Sequence, residues 1–425
     1  MRYLIALYTP AVRVLVIRAL LLVVMSVPVA AQLNGPDPAL NTRDVSVDAA
    51  YMRPFQSQRA IAAFGLDMAH ATSFLFDLQN HERIGRGWRL YSWIALADFV
   101  LWSPYFHALH EFGHAGRFDA ADGEDVVVRH IDGETEYTNF FPYFGASIFV
   151  REGGYASATQ LSQDAPEDWS AVITAGGVNA EMYMTEVLEH RLYTRGGHVT
   201  YLGPYIRGKL STLGYILALR DRTLEIEGRE VQGDIDELLD YYAGRGYEVS
   251  EGELIAASVA SLLASQSFYA LAAASVDYAD RPYEPGDTRA RSIELAGFKL
   301  PDTGLYLTRS GPSARVTVGY RIGNLVVPVS VEHVYEGDRR TDVSAGFWYP
   351  LFIGDTVIAA SANGVTAADG AAGGEATLTA TTGWGLHLET GIGAYHRDTL
   401  YGRRHTPDAT EEIGVELWGA VGFRY

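Results

Sequence analysis

The last fourteen residues, Glu412–Tyr425, read EIGVELWGAVGFRY and decide how the second half of the chain folds. Ile413, Val415, Leu417, Val421, Phe423 and Tyr425 fall on one side of an extended backbone, with Glu412, Glu416 and Arg424 on the other. Successive side chains of a strand point to opposite faces, so the pattern is that of a strand with one apolar and one polar face. The same period of two runs upstream. ARVTVGYR sets Val316, Val318 and Tyr320 against Arg315, Thr317 and Arg321, and DVSAGFWYPLF sets Val343, Ala345, Phe347, Tyr349 and Leu351 against Asp342, Ser344 and Gly346. About eight such segments, joined by short turns, lie between Gly304 and the end. They predict an antiparallel β-barrel of about eight strands over 285–425. An apolar outside around a polar interior suits a barrel surrounded by membrane lipid. A soluble sandwich gives the same alternation with the apolar face turned inward.

Residues 51–284 carry a different period. SQRAIAAFGLDMAHATSFLFDL and WRLYSWIALADFVLW have helical spacing of apolar residues, so the fold class is α+β, a mainly helical domain followed by the barrel. EDVVVRH and EYTNFFPYFGASIFV are expected to form a strand pair across the turn HIDGET. A long helix is expected from Pro166, with Glu167 and Asp168 in its first turn and RGG at its end. Leu254–Val276 is free of charge and long enough to cross a bilayer, and equally suited to a buried helix.

Residues 1–31 read as a signal peptide, with Arg2, Arg13 and Arg18 before ALLLVVMSV and small residues before Gln32. A polar linker, 32–50, follows. Loss of those three arginines and no acids would take the formal charge from −19 to −22. So acidic a chain is repelled by nucleic-acid phosphates. There is no cysteine. Any metal site must therefore be built from imidazole and carboxylate.

HALHEFGHAGRF, starting at His107, gathers three of the chain's twelve histidines and one glutamate within eight residues. On a helix, His110 and His114 stand one turn apart on one face and can hold one ion, with Glu111 beside them as a general base. Ser103 and Pro104 supply an N-cap and a first helical residue. His107 lies on the same face as a substrate-contacting candidate. A catalytic Zn2+ site takes three protein ligands, and the third is expected from TAGGVNAEMYMTEVLEH. Glu181 is a lone carboxylate on an otherwise apolar face there, and a buried carboxylate is costly unless it is paired or bound. Glu186 is the alternative; with Glu189 and His190 it falls on the opposite, polar side. Gly176 and Gly177 would let another helix approach closely, with Gly113 as counterpart. His70, Tyr183 and His198 are candidates for oxyanion stabilisation.

HEFGHA resembles the HExGH helix of site-2-protease-like membrane metallopeptidases, and GGVNAE is similar to the Gly-Ala-x-Asn-Glu segment of thermolysin-like zincins, with Ala180 as an extra residue. The Leu-Asp-Gly motif of site-2 proteases is absent. The final aromatic residue resembles the ending of bacterial outer-membrane barrel proteins. These resemblances imply a zinc metallopeptidase with one Zn2+ held by His110, His114 and Glu181, and with Glu111 as catalytic base acting on a peptide or protein substrate. They also imply an outer-membrane location with the helical domain in the periplasm. The competing expectations are a structural metal site in a non-catalytic binding or assembly module, and an inner-membrane protein.

Overall fold

A computed structural model describes residues 44–48, 58–79, 86–131, 133–150, 153–219, 224–226, 229–231, 233–280, 288–399 and 410–424. The predicted signal peptide lies outside them. Part of the predicted linker, Asp44–Asp48, is a strand, β1. The first long helix, α1, is Gln58–Gln79. Helix α2 (Arg86–Ala97) runs through a π-helical turn, Asp98–Trp102, into α3 (Ser103–Ala120), which carries the histidines. Ser103 is therefore not the N-cap that the sequence suggested. A proline inside a helix lacks one hydrogen-bonding N–H and its ring crowds the preceding turn. The widened turn before Pro104, in which the Ser103 N–H donates to the Asp98 carbonyl five residues back, accommodates it without ending the helix.

The expected strand pair does not form. Phe140–Ser147 is a helix, α4, started by Asn139, whose side chain accepts from the Phe141 N–H at 3.0 Å. Pro142 falls in its first turn, where a missing N–H costs nothing. Strand β2 (Val127–His130) pairs instead with β3 (Gly154–Ser157). The aromatic run that looked strand-like packs as a helix face, Phe140 and Phe144 each lying about 6 Å, 6.0 and 5.9 Å, from the Phe64 ring.

The helix expected from Pro166 is two, α5 (Trp169–Thr174) and α6 (Gly176–Arg195), the second ended by Gly196 as RGG implied. Then come β4 (Gly197–His198), α7 (Leu202–Lys209), α8 (Ser211–Leu219), the small ribbon β5 (Leu224–Ile226) and β6 (Arg229–Val231), and α9 (Asp234–Gly244). The charge-free stretch is divided between α10 (Glu251–Leu263) and α11 (Gln266–Asp280), bent by 55°. A capping box, Ser250 with Glu253, fixes the start of α10.

After β7 (Arg289–Ala290) and β8 (Glu294–Leu295) come eight long strands. They are β9 (Phe298–Thr308), β10 (Gly311–Ile322), β11 (Leu325–Val334), β12 (Thr341–Ile353), β13 (Thr356–Ala367), β14 (Ala372–Thr381), β15 (Leu386–His396) and β16 (Ile413–Arg424). All eight are antiparallel neighbours in chain order, and the sheet reads β1-β16-β15-β14-β13-β12-β11-β10-β9-β8. The number of long strands and the alternation are as the sequence implied, but the sheet does not close into a barrel. Its ends, β1 and β8, do not pair.

Helices occupy the hollow of the sheet. Asn179 of α6 donates from Nδ2 to the Leu307 carbonyl at 2.7 Å and accepts from the Leu307 N–H at 3.0 Å. Arg315 of β10 pairs with Glu186 and with Glu189, and Arg59 of α1 with Glu416 at 3.3 Å. Glu189 is 4% exposed and also meets Lys209 at 2.5 Å, so the polar side of α6 faces the sheet and α7, not bulk water. A cavity of about 310 Å³ remains between α1, α6 and the sheet, lined by Asp67, His190, Arg191, Glu375, Glu389 and Trp418 among others. The sheet thus turns a largely polar face inward and an apolar face outward. Arg315, Glu332 and Asp342 are buried, whereas Val318, Leu351, Leu388, Val415 and Leu417 are exposed.

Candidate metal centre

Helices α3 and α6 cross at glycine. A Cβ on Gly113 would stand 2.5 Å from the Gly176 carbonyl oxygen, and one on Gly176 would stand 2.7 Å from the Gly113 oxygen. The close approach expected of these glycines is therefore present. Gly177 has another use. A Cβ there would lie 2.5 Å from His110 Nε2, so its missing side chain is the space in which the imidazole sits.

This packing brings the pentad to α6 and to the first residue of α9. His110 Nε2 lies 3.1 Å and His114 Nε2 3.0 Å from Asp234 Oδ2. His110, His114 and Asp234 offer one atom each within 4.8 Å of one another, a group that could hold a metal ion. The second nitrogen of each ring is held too. His110 Nδ1 faces Glu181 Oε1 at 2.9 Å, and His114 Nδ1 faces the Ile173 carbonyl at 2.7 Å. Anchoring of the far nitrogen by a carboxylate or a carbonyl is how proteins orient metal-binding imidazoles. Ligand bonds of about 2.0–2.1 Å in a tetrahedral site place donors a little over 3 Å apart, close to the separations here. The residues fit a divalent ion.

Glu181 therefore belongs to the site, but on the outer nitrogen of His110; the converging carboxylate is Asp234. The alternative, Glu186, is elsewhere, against Arg315 and with the Tyr306 hydroxyl donating to it at 2.6 Å. Asp234 escaped the sequence reading because GDIDELLD looks like an ordinary acidic first turn of a helix. Nothing local ties it to a histidine 124 residues earlier.

The charges respond to one another. Burial alone would depress the His110 imidazole, yet hydrogen bonds to Asp234 and Glu181 outweigh it and raise its pKa. Burial opposes ionisation of Asp234, but the two imidazoles hold its carboxyl well below the usual carboxylate range. Burial pushes Glu111 up, against the pull of His110 and His114 and with the push of Asp234 and Glu181. A cation bound here would replace the protons that the imidazoles otherwise share with the carboxylates.

Two phenols stand at the pentad. The Tyr215 ring stacks on His110 at 4.8 Å, and its hydroxyl pairs with Asp234. The Tyr143 hydroxyl and His107 Nε2 share a hydrogen bond of 2.9 Å, and burial lowers the imidazole's pKa to about 4. That hydroxyl and Glu111 Cγ lie 2.0 and 3.1 Å from the point where a Gly154 Cβ would stand, so β3 passes directly beside the glutamate. Of the expected oxyanion candidates, His70 and Tyr183 line the cavity facing the sheet, and His198 pairs with Asp77 at 3.1 Å.

Comparison with protein-family models, curated proteins and solved structures returns no match to this chain.

Proposed function

We propose that the protein is a metal-dependent hydrolase of the peptidase type, held in a bacterial outer membrane by the outer face of its sheet. The observation that carries the reading is the meeting of His110 Nε2, His114 Nε2 and Asp234 Oδ2 next to a buried glutamate. A divalent ion, zinc by the donor set, supplies Lewis acidity toward a carbonyl and lowers the pKa of water. Glu111 takes the proton from the attacking water and returns it to the leaving amine, a role suited to a carboxyl whose pKa burial has raised. Tyr215, stacked on His110 and paired through its hydroxyl with Asp234, holds both of these donors in place.

The strand beside Glu111 favours a peptide over other substrates. The Ile131 N–H donates to the Gly153 carbonyl, so in this register the Gly154 and Ala156 main-chain groups point away from β2. Among the described residues β3 pairs with β2 alone. A peptide can add to that edge by main-chain hydrogen bonds and lie across Glu111.

The outer face of the sheet supports the membrane assignment. At the tilt of about 45° usual in membrane barrels, strands of 10 to 13 residues would span about 23–30 Å, near the height of the apolar band there.

Metal analysis of the purified full chain tests the site. About one zinc per chain is expected in the native protein and in Glu111→Gln, with loss of the metal in His114→Ala and in Asp234→Ala. Unchanged metal in both of the latter would overturn the site. On a peptide library, Glu111→Gln is expected to abolish cleavage while keeping the ion; retained cleavage would overturn the hydrolase reading.

A further inference from the structure

The open sheet raises the question of what covers the gap between β1 and β8. Helix α1 lies against β1 and is tied to β16 through Arg59 and Glu416. On its far side the Phe76 ring meets Tyr278 of α11 at 5.6 Å and Trp93 of α2 at 6.0 Å. Helix α11 in turn is fixed to β9, its Gln266 Nε2 and Ser267 N–H donating to the Asp302 carboxylate at 3.2 and 2.9 Å. The series β1–α1–α11 therefore runs from one edge strand to β9 and, through the Gln266 Oε1 that accepts from the Ile293 N–H at 2.9 Å, to the start of the other edge strand, β8, with α2 packed on it.

The outward sides of α1 and α2 are apolar. On α2 and the π turn, Trp88, Tyr91, Leu96 and Phe99 recur at helical spacing and are all exposed, Trp88 by 79%. On α1, Leu75 and Leu78 are exposed as well. A folded protein in water rarely shows so many large apolar side chains on neighbouring elements. Asp98, next to Phe99 of this stripe, is neutralised, accepting two hydrogen bonds from Arg207, both at 2.7 Å. Such pairing is what a charge beside hydrocarbon requires. Helices α10 and α11, taken together, are also long and apolar enough for a bent membrane span.

We infer that the bilayer contacts the helices as well as the sheet: α1 and α2 complete, across the gap between β1 and β8, the lipid-facing wall that the strands begin. The inference rests on the membrane reading of the sheet and extends it. It explains how a sheet with unpaired edges can lie in lipid, where exposed strand edges are not tolerated: the edges abut helices whose own backbone bonds are satisfied internally.

The absence of cysteine from the chain makes the test direct. The full chain, with single substitutions Leu78→Cys, Trp88→Cys or Phe99→Cys, is nitroxide-labelled and reconstituted in dioleoylphosphatidylcholine vesicles. Val415→Cys and Leu417→Cys report on the sheet, and Asp355→Cys, in the exposed turn between β12 and β13, reports on water. Collision of the label with oxygen, which concentrates in lipid, is compared with collision with a water-soluble nickel chelate. Positions 78, 88 and 99 are expected to match 415 and 417 in favouring oxygen, with 355 favouring nickel. Nickel-accessible helix positions beside oxygen-favouring sheet positions would overturn the helical wall and leave the sheet reading standing. Nickel access at 78, 88, 99, 415 and 417 alike would overturn both.

Discussion

At Gly177 a single absent side chain decides whether the candidate centre can form. The imidazole of His110 fills the space that a Cβ would occupy, so Gly177→Ala must turn or displace that ring. The substitution is expected to cost about 1–3 kcal/mol by overpacking and to lower metal content well below one ion per chain. Gly116→Ala on α3, the helix of the pentad, is the control: a Cβ there meets nothing within 4 Å, and metal content should be unchanged. Glu181 gives a graded case. It orients His110 from the outer nitrogen without converging on the Nε2 atoms, so Glu181→Ala should weaken metal affinity by about 10–100-fold. Asp234→Ala should remove tight binding. Equal losses in the two variants, measured by competition with a chelating dye, would show that Glu181 ranks with the ligands. The sequence singles out Glu181 and the pentad because each is marked locally, one by an apolar surround and the other by spacing, but it expects Glu181 as a ligand, whereas Glu181 meets the outer nitrogen of His110. It missed Asp234 because a carboxylate in the first turn of a helix has a sufficient reason to be there already.

At the scale of elements, the two ends of α6 contrast. Its C-terminal stop was visible as RGG, and Gly196 adopts φ 77° and ψ 177°, a region open essentially to glycine alone. Gly196→Ala should lower stability by about 1–3 kcal/mol, seen as an earlier thermal transition with no change in metal stoichiometry in the folded protein. A neutral substitution would mean that the turn relaxes to another conformation. Two elements were misread for instructive reasons. Phe140–Ser147 is rich in aromatics, which favour strands when one face is covered, but here Asn139 and Pro142 start a helix whose rings fill a cluster around Phe64 and Tyr105. Ser103-Pro104 looked like a beginning because the pair commonly is one. The π turn let α2 run on into α3, a choice that depends on packing over the whole rod.

Across the whole molecule, helices and sheet are joined by buried charge. Arg315 reaches from β10 to Glu186 and Glu189, and Lys209 of α7 meets Glu189 from the other side. Arg315→Leu would leave Glu186 with only the Tyr306 hydroxyl and Glu189 with Lys209 and the Tyr205 hydroxyl, and should destabilise the protein by about 3 kcal/mol in denaturant titrations. Adding Glu186→Gln and Glu189→Gln to it should recover part of that loss; no recovery would mean that Arg315 acts by packing alone. The same contacts account for the open sheet. Alternation and short turns dictate that each strand pairs with the next, yet closure requires the first and last to meet, and here α1 and α6 stand in the hollow.

What the sequence determined by itself was a set of local features: eight alternating strands, the helical spacing around the pentad, the glycines at the α3–α6 crossing and the stop after Arg195. Bond geometry imposes those periods on any chain, so they can be read without knowing the neighbours. Tertiary structure decided which carboxylate meets the imidazoles, what fills the hollow of the sheet and how its edges are covered. Each of these depends on residues about a hundred or more positions apart, brought together by packing.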